Sequence, residues 1–380
     1  MAVPKLRFKE FNTDYTNTTF EKLKGFSIQS GKSEEKGDTG EFPFYGSTGV
    51  IGYKDIFDYE GKSILIARVG ANAGSLYQID GKYSVSDNTL RLTVSDDTSL
   101  DYLRELLIKF NLNRLVFGTG QPLVTGGMIK KVNISIPEFT EQTKIASFLS
   151  NVDEKISQLT QKHALLSQYK QGMMQKLFSQ QIRFKADDGS EFGEWESRSL
   201  GEVGENIIGL TYSPTDVTND GSGILVLRSS NIKNGRLDKS DQVRVNKKIK
   251  DKIIVQANDI LICTRNGSQR LIGKSVIIND DEEMTFGAFM SVYRSEYNRF
   301  IAYLMQTPWF FEQVQMNLGA RINQITTGTL NEFTFDFPCL EEQTKIANFL
   351  SAIDQKIEVV AEQIEQAKTW KKGLLQQMFV

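Results

Sequence analysis

Two long stretches of the chain carry apolar side chains at alternating spacings of four and three residues. The first stretch runs from Ile145 to Leu177 and the second from Ile346 to Met378. An apolar period of 3.5 residues kept over about five heptads is typical of coiled-coil helices. The pattern therefore predicts coiled-coil helices over residues 141–180 and 341–380. Their predicted seam includes Ile145, Leu149, Val152, Ile156 and Leu159 in the first helix and Ile346, Leu350, Ile353, Ile357 and Val360 in the second.

The two stretches are also copies of each other. Residues 141–156 read EQTKIASFLSNVDEKI and residues 342–357 read EQTKIANFLSAIDQKI, an offset of 201 positions. The start of the chain repeats as well, because LRFK at residues 6–9 returns as IRFK at residues 182–185. The chain is therefore predicted to contain two copies of one unit, each a globular region followed by a long helix, as a pseudo-two-fold internal repeat.

Connectivity predicts the direction of the two helices. The first helix starts from the first globular region and enters the second region within a few residues of its C-terminal end. A second helix that pairs with the first along the seam must run back towards the first region. The pair is therefore expected to be antiparallel and to separate the two regions.

The globular regions, over residues 1–140 and 181–340, are predicted to be mixed α/β (α+β) domains. Short β-branched and aromatic runs are interrupted by glycine and asparagine, which indicates strands and turns. A late helix is expected over residues 100–111 in the first region and over 299–316 in the second, with a break at Pro308. A last strand is expected over residues 132–136 and 332–337.

Composition removes several classes of function. The chain has two cysteines, Cys263 and Cys339, and one histidine, His163. These exclude a disulfide scaffold and a zinc site of the Cys/His kind, and no metal site is predicted. His163 falls on the helix seam, where a polar residue that sets the register is expected rather than a catalytic base. Residues 25–33 resemble a P-loop, but five residues separate the glycines where the motif has four.

Charge and hydropathy add two expectations. The formal net charge is −2, so bulk charge favours no particular partner. The apolar runs are strand-sized and fall short of the roughly 20 residues that cross a bilayer. The N-terminus has no apolar signal-peptide stretch. A cytoplasmic protein without membrane contact is expected.

One segment of the second region has a local excess of positive charge. Residues 228–274 contain twelve Arg and Lys against four Asp and Glu. In the major groove, arginine reads guanine, and asparagine or glutamine reads adenine. Lysine and arginine also contact the phosphates. The predicted DNA-binding residues here are Arg228, Asn231, Asn234, Arg236, Arg265, Asn266, Gln269, Arg270 and Lys274. The lysine-rich stretch 247–252 is interpreted instead as a solvated loop.

The first region offers weaker candidates, Arg68, Asn72 and Gln121, which are chosen because they lie on glycine-rich loops. Ordinary polar loop residues are an equally good interpretation of each. Aromatic residues also occupy matching positions outside the strict seam in both helices, and these could pack on the domains or dock two copies of a partner. The pairs are Phe148 and Phe349, Tyr169 and Trp370, and Phe178 and Phe379.

Several motifs together resemble the specificity subunit of type I restriction–modification systems. They are P-x-L-R-F at residues 4–8 with its echo at residues 183–184, P-x-x-x-E-Q-x-K-I-A at residues 137–146 and 338–347, and K-x-G-L-L-Q-x-M-F at residues 371–379. The first region departs from the family pattern, since TFEKL at residues 19–23 replaces a W-E-x-x-x-L-G stretch.

The resemblance implies a non-catalytic subunit with two target recognition domains. Each domain would read one half of a bipartite, asymmetric double-stranded DNA target, and the coiled coil would set the spacer between the halves. Two modification subunits, which bind S-adenosylmethionine and methylate adenine, would dock on it. Restriction subunits, which use ATP and Mg²⁺, would join them, and this chain itself would hold no cofactor. The alternative is a coiled-coil adaptor that joins proteins without contacting DNA.

Overall fold

The computed structural model describes residues 4–32, 37–116, 122–318 and 323–380. Contacts between residues divide the chain into two compact units. The first unit contains residues 1–162 and 360–380, and the second contains residues 163–359. Each long helix therefore contributes one half to each unit. The domain bounds at residues 140, 180 and 340 stay predictions.

Among its described residues, the globular part of the first unit has ten short strands and two short α-helices. The strands are β1 (Thr16–Thr19), β2 (Ser27–Ser30), β3 (Phe42–Gly46), β4 (Gly49–Lys54), β5 (Tyr59–Glu60), β6 (Ser63–Ala67), β7 (Leu76–Ile79), β8 (Lys82–Val85), β9 (Thr89–Thr93) and β10 (Asn133–Ile136). The helices are α1 (Leu100–Phe110) and α2 (Gly126–Lys130), and the long helix α3 (Phe139–Phe178) follows.

The second unit has twelve strands and four short helices among its described residues. The strands are β11 (Glu196–Ser199), β12 (Glu205–Ile208), β13 (Val217–Thr218), β14 (Ile224–Leu227), β15 (Ile232–Lys233), β16 (Arg236–Leu237), β17 (Arg244–Val245), β18 (Ile260–Cys263), β19 (Ser275–Ile277), β20 (Met284–Phe286), β21 (Met290–Arg294) and β22 (Thr334–Phe337). The helices are α4 (Leu200–Val203), α5 (Asn298–Leu304), α6 (Pro308–Met316) and α7 (Thr327–Glu332), and the long helix α8 (Leu340–Met378) follows.

The two units share the topology of their main sheet and two further strand pairings. The order β2-β9-β6-β7 in the first unit corresponds to β12-β21-β18-β19 in the second. A parallel pair, β3 with β8, corresponds to β14 with β20. The antiparallel pair β1 with β10 corresponds to β11 with β22. The predicted mixed α/β class and the predicted duplication are therefore confirmed.

Each main sheet is built around a fully buried inner strand, which is apolar except for Ser63 at the start of β6. All five residues of β6 and all four of β18 are buried. A strand buried on both faces needs such a continuous apolar run. Helix α1 and helix α5 pack on these sheets, and the predicted break before α6 is confirmed, because Pro308 begins that helix at a position where its missing N–H is not needed.

The long helices α3 and α8 are continuous and pair in antiparallel directions. In the first unit the Nζ of Lys371 lies 2.6 Å from a carboxylate oxygen of Asp153. In the second unit the Nζ of Lys170 lies 2.8 Å from Asp354. The early half of each helix thus meets the late half of the other, and the two ion pairs occupy equivalent positions of the repeat.

The structure also shows where the heptad positions lie. Eight of the ten predicted seam residues are buried, and two are half-buried. The buried ones are Ile145, Leu149, Val152, Leu159, Ile346, Leu350, Ile353 and Val360, and the half-buried ones are Ile156 and Ile357. Packing therefore agrees with a 3.5-residue period along both helices.

A buried carboxylate near the start of each long helix joins that helix to the preceding chain. Glu141 accepts hydrogen bonds from Arg7 Nε (2.8 Å) and Nη2 (2.7 Å), and it is fully buried. Glu342 accepts the same two bonds from Arg183 at 3.1 and 2.7 Å and is equally buried. We call these two pairs the arginine–glutamate clamps. They explain why the L-R-F and E-Q motifs repeat together.

Candidate nucleic-acid interface

The loop over residues 264–274 follows the buried strand β18 and returns to β19. Its entry is fixed by the backbone, because the N–H groups of Thr264 and Arg265 both donate to the carbonyl of Phe289, at 3.1 and 3.0 Å. On the other side, Ile325 N–H donates to the carbonyl of Thr264 at 2.9 Å. The turn that contains Phe289 and the segment that contains Ile325 therefore hold the 264–274 loop at the end of the main sheet.

Most of the side chains predicted to bind DNA on this loop face solvent. Arg265, Gln269, Arg270 and Lys274 are exposed. Across the described ranges, the guanidinium groups of Arg265 and Arg270 make no hydrogen bond and no ion pair. The guanidinium carbon of Arg265 lies 4.8 Å from the ring centroid of Phe289, a cation–π contact. The loop therefore presents positive charge that the protein itself does not neutralise there.

Asn266 is half-buried and helps to hold this loop. Its Nδ2 donates to Ser229 Oγ at 3.0 Å, and its Oδ1 accepts from the N–H of Ser268 at 2.9 Å. These bonds tie the loop to the turn that follows β14. Asn266 therefore positions its neighbours, and only part of its hydrogen-bonding capacity is available to a ligand.

Asn231 corrects the sequence-based prediction. Its side chain is fully buried. Its amide accepts from the N–H of Arg228 at 2.9 Å and donates to the carbonyls of Asp238 and Asp241, both at 2.8 Å. Because buried backbone groups need partners, this side chain stabilises the turn from within. It cannot reach a base edge.

Three further candidates in the second unit are engaged elsewhere or point to another surface. Arg228 forms an ion pair with Asp241 at 2.6 Å. Arg236 pairs with Glu358 of α8 at 3.0 Å, so the hairpin β15–β16 contacts the long helix. Asn234 is exposed in that hairpin turn with a positive φ of 52°. It lines a cleft of about 600 Å³ together with Arg236 and Glu358.

The first unit builds the same framework with different side chains. The N–H of Arg68 donates to the carbonyl of Asn88, and the N–H of Val124 donates to the carbonyl of Arg68, both at 2.9 Å. Asn88 thus occupies the position of Phe289. The side chain of Arg68 is half-buried and donates to the carbonyl of Asp87 at 3.3 Å.

The two remaining first-unit candidates are Asn72 and Gln121. Asn72 is exposed, and its carbonyl accepts from the N–H of Ser75 in a turn. Gln121 lies outside the described residues. Asn88 is exposed and was missed by the sequence reasoning, as was Phe289 in the second unit. Neither position carries a sequence signal, because only the strand pairing brings these turns beside the loop after the inner strand.

The described residues also bear on metal binding and on membrane insertion. In those ranges, no three His, Cys, Asp or Glu side chains are grouped so that they could hold a metal ion. Among the helices described, none combines the length and the apolar character needed to cross a membrane.

Comparison with known protein families now decides the family. The model described as type I restriction modification DNA specificity domain matches residues 11–168 and again residues 193–369. The chain belongs to this family. The two matched segments each contain one sheet framework and much of one long helix, so the family domain occurs twice in this type I specificity protein, and the predicted resemblance is confirmed.

Individual relatives are consistent with this family. The type I restriction enzyme MjaVIII specificity subunit of Methanocaldococcus jannaschii is 26% identical over 336 residues, covering 82% of this chain and 77% of that protein. The EcoKI specificity subunit of Escherichia coli K12 is 28% identical over 179 residues, covering 45% of this chain and 39% of that protein.

Solved structures show the same fold. The crystal structure of a type I restriction–modification S subunit from M. genitalium covers 100% of this chain and 99% of its own, with a TM-score of 0.67 and 16% identity. A chain from a structure on complex assembly and conformational transition of the type I R-M system covers 97% of this chain and 98% of its own. Its TM-score is 0.57 at 16% identity.

Proposed function

We propose that this chain is the non-catalytic specificity subunit of a type I restriction–modification complex. Each unit reads one half of a bipartite, asymmetric DNA sequence. One observation carries the proposal: the two units hold different side chains on one repeated framework. The second unit places Arg265 beside Phe289, where the first unit has Val69 and Asn88 at the equivalent positions. Different side chains at the same position favour different bases.

The paired helices α3 and α8 set the spacer between the two half-sites. An α-helix rises about 1.5 Å per residue, so the length of the pair is fixed by the residue count. A fixed separation between two readers selects half-sites at a fixed spacing, as dimer geometry does in other DNA-binding proteins. The adaptor alternative does not need unequal exposed loops at the end of each main sheet.

Partner subunits supply the chemistry and part of the DNA affinity. A formal net charge of −2 is poorly suited to neutralising phosphates, which supply much of protein–DNA affinity. In this proposal two modification subunits carry S-adenosylmethionine and restriction subunits carry ATP and Mg²⁺. These partner subunits contribute the positive charge that neutralises the DNA phosphates. A cytoplasmic location belongs to the same proposal.

Two exposed aromatic residues are the best docking points for the modification subunits. Of the six off-seam aromatic residues, four make aromatic contacts with the globular parts, with centroid distances of 5.1–5.7 Å. Tyr169 and Trp370 remain 51% and 52% exposed and are equivalent in the repeat. Exposed aromatic side chains are enriched at protein interfaces. Two equivalent ones suit two copies of one partner.

The docking proposal is tested by native mass spectrometry of the reconstituted complex. Trp370→Ala is expected to lose one modification subunit, and the double variant with Tyr169→Ala is expected to lose both. Leu165→Ala is the control, because Leu165 is 57% exposed but its repeat equivalent is a glutamine. Full occupancy in the double variant would show that docking occurs elsewhere.

The function is tested by reconstituting the chain with the modification subunits of its own host. The complex is incubated with random DNA duplexes and S-adenosylmethionine, and the methylated sequences are read. The expected product is methylated adenine within two short motifs at one fixed spacing. A stable complex that methylates without sequence preference would favour the adaptor alternative.

A further inference from the structure

We propose that Arg265, held by the ring of Phe289, reads a guanine in the half-site bound by the second unit. The inference rests on the proposed function and adds to it the base and the two residues that select it. Phe289 acts as a positioning residue, and Arg265 makes the base contact.

Arg265 and the ring of Phe289 are both accessible to a ligand. The guanidinium carbon of Arg265 lies 4.8 Å from the ring centroid, and the phenyl ring is 57% exposed. An aromatic ring covers one face of a guanidinium and leaves the N–H groups in its plane available. Two of those groups match O6 and N7 of guanine in the major groove.

The backbone holds both partners in place. The carbonyl of Phe289 accepts from the N–H of Arg265 at 3.0 Å, so the two residues are joined through the main chain as well as through the side chains. The turn that carries Phe289 is itself fixed, because Gly287 N–H donates to Leu227 and Ala288 N–H donates to Leu210, both at 2.9 Å. A side chain ordered before binding loses less entropy on binding.

Other arginines of the same unit are committed to carboxylates. Arg228 pairs with Asp241, Arg236 with Glu358 and Arg294 with Asp259. Arg270 is exposed like Arg265, but no aromatic ring of the described chain lies beneath it. An unsupported arginine suits a phosphate contact, which needs charge more than orientation. Arg265 is therefore the better candidate for base recognition.

The first unit lacks this pair. Asn88 stands where Phe289 stands, and Val69 stands where Arg265 stands. At this position of the repeated framework, a ring-supported arginine is therefore found in the second unit and not in the first. The half-site of the first unit serves as an internal control in every measurement.

The test uses the complex of the full chain with its modification subunits, and it reads the methylated motif from random duplexes. Phe289→Leu keeps the apolar bulk and removes the ring, and Phe289→Tyr keeps the ring. We expect the leucine variant to lower the preference for one guanine by about 10-fold, because an Arg265 side chain without its supporting ring loses more conformational entropy when it binds the base. The tyrosine variant should stay within about twofold of wild type. Arg265→Lys keeps the charge and should lose the same guanine.

The outcomes separate this inference from the proposed function. If the wild-type complex shows no sequence preference, the proposed function fails and this inference fails with it. If the wild type has a bipartite motif that Phe289→Leu and Arg265→Lys leave unchanged, only this inference fails. A change in both half-sites would also overturn it. Arg236→Ala is the matched control and should leave the guanine preference intact, because Arg236 is paired with Glu358.

Discussion

At the scale of single residues, the repeated motifs of this chain are explained mainly by buried polar contacts. Glu141 and Glu342 are fully buried and each accepts two bonds from one arginine. The adjacent glutamines, Gln142 and Gln343, donate to the carbonyls of Pro137 and Pro338 at 2.9 and 2.8 Å. The E-Q pair therefore joins each long helix to the segments that precede it.

Removing one clamp should destabilise the protein. Glu342→Gln replaces a charged acceptor of two arginine bonds, and hydrogen bonds to charged groups contribute about 1.5–3 kcal/mol. We expect the free energy of unfolding to fall by about that amount, measured by urea denaturation with circular dichroism. Glu191→Gln is the control, because Glu191 and its partner Lys185 are both exposed and the change should be small. Equal losses would contradict the role of the clamp.

The two cysteines should differ in reactivity. Cys263 is buried in β18, and burial raises the pKa of its thiol to about 11. The reactive thiolate of Cys263 is therefore scarce near pH 8, whereas Cys339 is exposed. Alkylation of the native protein at pH 8, followed by peptide mass spectrometry, should label Cys339 and spare Cys263. Equal labelling would show that the second sheet opens readily.

At the scale of elements, the two ion pairs of the long helices are equivalent in sequence but differ in surroundings. Lys371 contacts Asp153 and also the buried carboxylate of Glu105, at 3.0 Å. In the second unit Lys170 instead lies beside the neutral Gln306, whose Oε1 accepts from Lys170 at 3.4 Å, and among the described residues no carboxylate besides Asp354 pairs with Lys170. The ion pair of Lys371 with Asp153 therefore includes an additional buried carboxylate, that of Glu105.

This difference predicts unequal effects of matched substitutions. Lys371→Met should destabilise the protein more than Lys170→Met, by on the order of 1–2 kcal/mol, because it leaves a buried carboxylate without one of its cations. Urea denaturation of the two variants measures the difference. Equal effects, or a larger loss for Lys170→Met, would mean that Glu105 does not depend on Lys371.

The elements also show what the sequence could and could not predict. The heptad pattern predicted α3 and α8 because helix periodicity is local, and α1 was missed by one residue only, since Asn111 ends it with a positive φ of 58°. The clamp of Arg7 with Glu141 joins residues 134 positions apart, which no local pattern encodes. Asn231 resembles any polar turn residue, and Phe289 resembles any strand aromatic. Asn231 is buried and Phe289 is exposed, and this difference depends on the tertiary fold.

At the scale of the whole molecule, the central claim is that two unequal readers share one framework and one pair of long helices. The repeated sheet topology and the repeated ion pairs support a common origin for the two halves. The different residues at the ends of the main sheets support different half-sites. The functional link between the halves is then the number of residues in α3 and α8.

The most direct test changes that number. Seven residues are deleted from the middle of both α3 and α8, which keeps the heptad phase and shortens the pair by about 10 Å. The variant is reconstituted with its modification subunits, and its methylated motif is read from random duplexes. We predict that both half-sites keep their sequences and that the spacer shrinks by about three base pairs, at 3.4 Å of rise each. An active complex whose spacer is unchanged would contradict the account.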